Sequence, residues 1–148
     1  MPSTHTALIY HLVFSTKNRE AWFVAEFLSK LHNYMGGAIR GLDGHSFAVG
    51  GIADHIHMLV GLKPTHTLSD VMRELKACSS KWVKEQLRMK SFAWQEGYGG
   101  FTVSPPDLEK VRKYVLNQES HHRKTTFKEE YLAMLERGMI QYDDRYLW

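Results

Sequence analysis

Residues 45–62, HSFAVGGIADHIHMLVGL, decide the architecture. Two apolar, β-prone runs, HSFAVGG and HIHMLVGL, are separated by only a few residues around Ala53 and Asp54. So short a link between strand-like runs predicts a hairpin. Upstream, residues 5–16 (HTALIYHLVFST) read as a largely buried strand. Between this strand and the hairpin, Phe23, Phe27, Leu31 and Met35 recur at helical spacing. Val24, Leu28, Ala38 and Ile39 lie beside them, and Gly41 with the LDGH turn signal ends the pattern. Downstream, Thr67 followed by Asp70 gives a capping-box-like start to a second helix. Its apolar stripe is Leu68, Val71, Met72, Leu75, Trp82 and Val83. The segment SFAWQEGYGGFTVS then reads as a short strand interrupted by a glycine loop.

The order strand, helix, strand, strand, helix, strand predicts an α+β fold of ferredoxin-like or RRM-like type, an antiparallel sheet with helices on one face. Two C-terminal helices are added. One starts after Ser104, with Pro105 at its first position and Asp107 completing the cap, and runs through Val111 and Val115 to the basic HHRK. The other, at about 127–137, carries Phe127, Tyr131, Met134 and Leu135 before Gly138 stops it. A fold of this kind hosts many activities, so function has to be read from the site.

A chain of 148 residues, 43% hydrophobic and 24% charged, suffices for one domain with a proper core; residues 1–148 are read as that domain with a short C-terminal extension. No apolar run reaches the roughly 20 residues of a membrane span, and the N-terminus lacks the marks of a signal peptide, so a cytoplasmic location is expected. The lone Cys78, on a helical apolar face, reads as packing. Nineteen Lys and Arg against 16 Asp and Glu give a formal charge of +3, which mildly favours a polyanionic partner. The bases near the chain's C-terminal third, Arg112, Lys113, Arg123 and Lys124, are candidate phosphate contacts. Each reads equally well as part of a solvated helix face.

Strand alternation turns His55 and His57 to one face, where they could share a metal ion. The pair also fits two hydrogen-bonded histidines. The surrounding Ile56, Met58, Leu59 and Val60 commit the strand to a core, and a buried face seldom carries two imidazoles without partners. Tyr114 and Gln118 stand at i and i+4 of a helix and so share a face, placing a hydroxyl beside an amide oxygen suited to Mg²⁺ or Mn²⁺. That pair is also a common packing arrangement.

At these two segments the sequence resembles the single-tyrosine HUH transposases, the small TnpA-type enzymes of single-strand-transposing insertion sequences and their REP-associated relatives. The likeness rests on His55-Ile56-His57 with Tyr114 and Gln118. It extends in order through YHLVFSTKNRE, GIADHIHMLVGLKP, LKACSSKWV, FAWQEGYGGFTVS and VRKYVLNQESHHRK. The terminal MIQYDDRYLW matches nothing assignable. The resemblance implies that His55 and His57 bind a divalent metal, Mg²⁺ or Mn²⁺, that Gln118 completes its protein ligands, and that Tyr114 is the nucleophile. It further implies cleavage and rejoining of single-stranded DNA through a 5′-phosphotyrosine, hairpin-forming element ends as substrate, and a homodimer. In agreement, the sequence has no phosphate loop for ATP. Two other readings stay open at this level: a non-catalytic nucleic-acid-binding module of the same fold, and a metal-dependent hydrolase in which Tyr114 is structural.

Overall fold

The structure, a computed structural model, describes residues 3–147; Trp148, the last residue of the tail, lies outside them. Strand β1 (Leu8–Ser15) is followed by helix α1 (Ala25–Gly41), the hairpin β2 (His45–Ile52) and β3 (His55–Leu62), helix α2 (Leu68–Gln86) and strand β4 (Gly99–Thr102). The strands form one antiparallel sheet in the order β2-β3-β1-β4. This is the expected ferredoxin-like arrangement, and Ala53 and Asp54 form the hairpin turn. A bulge at Phe47 offsets the β2–β3 register between Ser46 and Ala48.

Alternation along the strands divides the core in two. Leu12, Phe14, Ile56, Met58 and Val60 face α1 and α2 and form the larger cluster with Leu31, Met35, Met72 and Leu75. Ile9, Val13 and Leu59 face the opposite side. That side is covered by α3 (Leu108–Leu116), α4 (Gln118–His121) and α5 (Phe127–Arg137). The sheet is thus sandwiched, and the histidines of β3 lie on the face covered by the C-terminal helices.

The segments around these helices depart from the sequence reading. Residues Pro105–Asp107 form a 3₁₀ turn and α3 begins only at Leu108; neither the Ser104 nor the Asp107 side chain accepts a capping hydrogen bond. Tandem prolines explain the tight turn, because fixed φ and missing N–H groups favour a short lead-in. Thr67 precedes α2 without capping it, though Asp70 bonds its side chain. The third helix does not run on to HHRK: it breaks at Asn117, with φ −107° and ψ 28°. Tyr114 and Gln118 therefore stand on either side of a break rather than on one continuous helix. The final helix matches its expected bounds. The tail folds back, burying Leu147 beside Val13, Phe127 and Tyr131, and its carbonyl accepts from Gln95 Nε2 at 3.2 Å. No helix among the described residues is long and apolar enough to cross a membrane.

Candidate active site

Helix α3 reaches the sheet because β2 offers it a glycine. A Cβ on Gly50 would lie 1.9 Å from the Val115 carbonyl oxygen, so only a bare backbone admits the helix there. Gly50 is the register partner of His57, and Val115 follows Tyr114. The contact sets the Tyr114 ring edge-on to His57, with centroids 5.8 Å apart, and to His11 of β1 at 6.0 Å.

The imidazoles are held in a repeated manner. His55 Nδ1 lies 2.8 Å from Asp54 Oδ1, and His57 Nδ1 lies 2.8 Å from His11 Nε2. Each ring is thereby fixed from behind, leaving Nε2 to point inward. These two Nε2 atoms converge on one oxygen, Glu130 Oε1 of α5, at 3.6 Å from His55 and 3.0 Å from His57. A third ring joins them. His122 Nδ1 bonds the Thr125 carbonyl at 2.8 Å, and its Nε2 reaches Glu130 Oε1 at 3.2 Å and Gln118 Oε1 at 3.0 Å. Gln118 Oε1 also lies 3.3 Å from His55 Nε2, while its Nε2 donates to the Tyr114 carbonyl at 3.1 Å. Across the Asn117 break, that amide still ties Gln118 to Tyr114.

Glu130 spans the cluster and the tyrosine. Its Oε2 accepts a hydrogen bond from the Tyr114 hydroxyl and sits 3.1 Å from His121 Nε2. Burial would raise this carboxyl, but hydrogen bonds from His122, His57 and Tyr114 outweigh it and hold Glu130 far below the usual carboxylate range. Burial, followed by the bond to anionic Glu130, pushes the Tyr114 phenol well above its ordinary value. Burial lowers His57 to about 4 against the attraction of Glu130, and lowers His11 to about 3. For His122 burial acts downward, yet the bond to Glu130 prevails and the group is raised. Ligand atoms of His55, His57, His122 and Glu130 all lie within 4.8 Å of one another, a set that could hold a metal ion.

Every expected chemical residue, His55, His57, Tyr114 and Gln118, is brought to this one place. The expected phosphate contacts are more dispersed. Arg112 pairs with Glu109 at 3.4 Å and Arg123 with Glu119 at 3.5 Å, both at the surface, and Lys113 is exposed on α3. Lys124 lines a cavity of about 270 Å³ that also touches Tyr114 and His121. On the other side of Tyr114 a cavity of about 320 Å³ has Phe101, Val111 and Met134 in its walls and carries Lys110 and Arg137. Sequence reasoning missed His11, His121, His122, Glu130, Lys110 and Arg137. Glu130 had a usable signal: it sits on the apolar stripe formed by Phe127, Tyr131 and Met134, and an acid on a buried stripe needs partners.

Comparison with known proteins gives a consistent picture. The family described as "Transposase IS200 like" matches residues 4–118. The ISDra2 transposase TnpA of Deinococcus radiodurans is 29% identical over 125 residues, which cover 79% of this chain and 86% of the relative. A solved structure of a candidate transposase from Deinococcus radiodurans R1 superposes with a TM-score of 0.63 at 24% identity, covering 80% of this chain and 95% of that one. The REP-associated tyrosine transposase, solved bound to a REP hairpin, gives 0.55 at 16% identity, covering 78% of this chain and 70% of that one. The two structures share the fold.

Proposed function

The chain belongs to the IS200-like transposase family, and from that premise we propose that it cleaves and rejoins single-stranded DNA through a covalent bond to Tyr114. The supporting observation is that the Tyr114 hydroxyl bonds the carboxylate on which His55, His57 and His122 converge, so nucleophile and metal-competent cluster are physically joined. His55 and His57, with the amide oxygen of Gln118, would hold the divalent ion, Mg²⁺ or Mn²⁺. When bound, the ion supplies Lewis-acid polarisation of the scissile phosphate. The donors fit it: both β3 imidazoles are pinned at Nδ1 and present Nε2 inward.

The chain's own groups do the rest. Glu130 orients the Tyr114 hydroxyl and provides the acceptor nearest to its proton. Attack by the phenol oxygen on phosphorus forms the P–O(Tyr) bond as the P–O3′ bond breaks, leaving a 5′-phosphotyrosine and a 3′-OH that takes up a proton. A 3′-OH attacking the same phosphorus reverses the exchange and reseals a strand. One phosphodiester replaces another, so no nucleotide cofactor is required. Lys110, Arg137 and Lys124 beside Tyr114 suit the DNA backbone, with Arg112, Lys113 and Arg123 further out. The whole chain acts as one domain in this reading, because α5 and the tail pack on the sheet that carries the histidines. The DNA is a hairpin-forming element end and the protein a homodimer, both carried over from the family. In a single chain Tyr114 already meets its own cluster.

The test is incubation of the protein with labelled single-stranded DNA from the flanks of its gene, with Mn²⁺ or with EDTA. A heat-stable covalent protein–DNA adduct formed only with metal is expected. Cleavage without an adduct favours a hydrolase, and binding with neither favours a passive module.

A further inference from the structure

The polarity of the cluster points to who holds the cation. The Thr125 carbonyl can only accept, so His122 donates through Nδ1, and Nε2 is the ring atom aimed into the cluster. The Asp54 carboxylate likewise accepts from His55 Nδ1, which leaves its Nε2 aimed inward. Gln118 donates its amide N–H to the Tyr114 carbonyl, which turns its oxygen inward. The Nε2 atoms of His55 and His122 therefore face Gln118 Oε1 and Glu130 Oε1, and the possible ligand atoms of His55, His57, His122 and Glu130 all lie within 4.8 Å of one another. Glu130 is buried to 3% exposure, so water does not relieve it. A cation bound there would replace the ring N–H protons that hold the carboxylate, each Nε2 lone pair then serving as a ligand.

We propose that this chain completes its cation site with His122 and Glu130, giving a three-histidine, one-carboxylate set with His55 and His57 that favours a first-row transition ion such as Mn²⁺ over Mg²⁺. This rests on the metal-dependent reading above and changes its ligand set: His122 and Glu130, which follow residue 118 where the family match ends, take the place of the Gln118 oxygen. Imidazole suits transition ions, whereas Mg²⁺ demands oxygen donors and retains water. Glu130 then has two duties. Oε1 ligates while Oε2 holds the Tyr114 hydroxyl, so one side chain fixes the distance between the ion and the nucleophile. Gln118 braces His55 and His122 through its oxygen and α3 through its amide N–H.

The probe is Mn²⁺ itself, titrated into the EDTA-stripped full chain and followed by the loss of the free-ion electron paramagnetic resonance signal. The wild type is expected to bind one ion, with Mg²⁺ displacing it only in large excess. Glu130→Gln, which keeps the shape and an acceptor for Tyr114, and His122→Gln should each weaken Mn²⁺ at least about tenfold, as loss of a supporting or ligating group does. Gln118→Ala should weaken it less than either. Thermal melting in EDTA reports folding separately, and if Glu130→Gln does not fold, His122→Gln decides. The proposal is overturned if His57→Ala loses Mn²⁺ while both the Glu130 and His122 variants bind like wild type, or if Mg²⁺ competes at equal concentration. Failure of the wild type to bind Mn²⁺ at all overturns the metal-dependent reading itself.

Discussion

Replacing Gly50 by alanine should disable the site from a distance. A Cβ there would lie 1.9 Å from the Val115 carbonyl oxygen and 2.8 Å from its carbon, both backbone atoms that no rotamer change can move. Restoring an ordinary C···O separation of about 3.3 Å requires α3 to retreat by about 1.4 Å. Overpacking of this kind costs about 1–3 kcal/mol, or roughly 3–10 °C in melting temperature for a chain of this size. The kinetic effect is larger, because a shift of about 1 Å in a reacting group can cost about 100-fold in rate, and Tyr114 adjoins the displaced residue. The assay pairs melting with single-turnover cleavage of single-stranded DNA. Gly41→Ala is the control, since a Cβ there meets nothing within 4 Å. Wild-type cleavage and melting by Gly50→Ala would refute the seating of α3 on β2 and the placement of Tyr114 that follows from it.

Two further outcomes follow from charge. Burial lowers His11 to about 3, and His32 and His57 to about 4, so the unfolded chain takes up protons near pH 6.5 while the folded chain resists. Stability should fall as pH drops from 6.5 toward 4, each group contributing up to about 1.4 kcal/mol per pH unit. His122 is shifted in the opposite direction, upward, and so adds nothing to this loss. Melting in EDTA should decline steeply between pH 6.5 and 5; a flat profile contradicts the buried neutral imidazoles. Lys110→Ala and Arg137→Ala, beside the cavity at Tyr114, should weaken single-stranded DNA binding more than Arg112→Ala or Arg123→Ala, whose cations are paired with Glu109 and Glu119. Each lost phosphate contact should reduce the salt slope measured by fluorescence anisotropy by about 0.7, and the reverse ranking would contradict the assignment.

What the sequence disclosed and what it hid have physical causes. The hairpin of β2 and β3 and the bounds of α5 were readable because alternation, helical spacing and stop signals are local. The convergence of His55 and His57 was readable for the same reason, since two residues apart on a strand fixes the face. Asn117 looked like an ordinary helix residue. At its break the Gln118 side chain, drawn to His55 and His122, bonds the Tyr114 carbonyl, a set of partners that no local pattern shows. His11 reaches His57 across a strand pairing that no local pattern encodes. His121 and His122 read as basic residues at a helix end, and only the return of α5 over the sheet brings Glu130 to them.

Tyr114 as the carrier of the covalent bond to DNA is open to a direct test. Wild type and Tyr114→Phe would be incubated with single-stranded DNA and Mn²⁺, the adduct digested, and the modified peptide identified by mass spectrometry. Losing one oxygen should leave folding and DNA binding intact. A phosphotyrosine is expected on the wild-type peptide containing Tyr114, and no adduct from Tyr114→Phe. A full adduct yield from Tyr114→Phe, mapped to another residue such as Tyr98 or Tyr131, would contradict it.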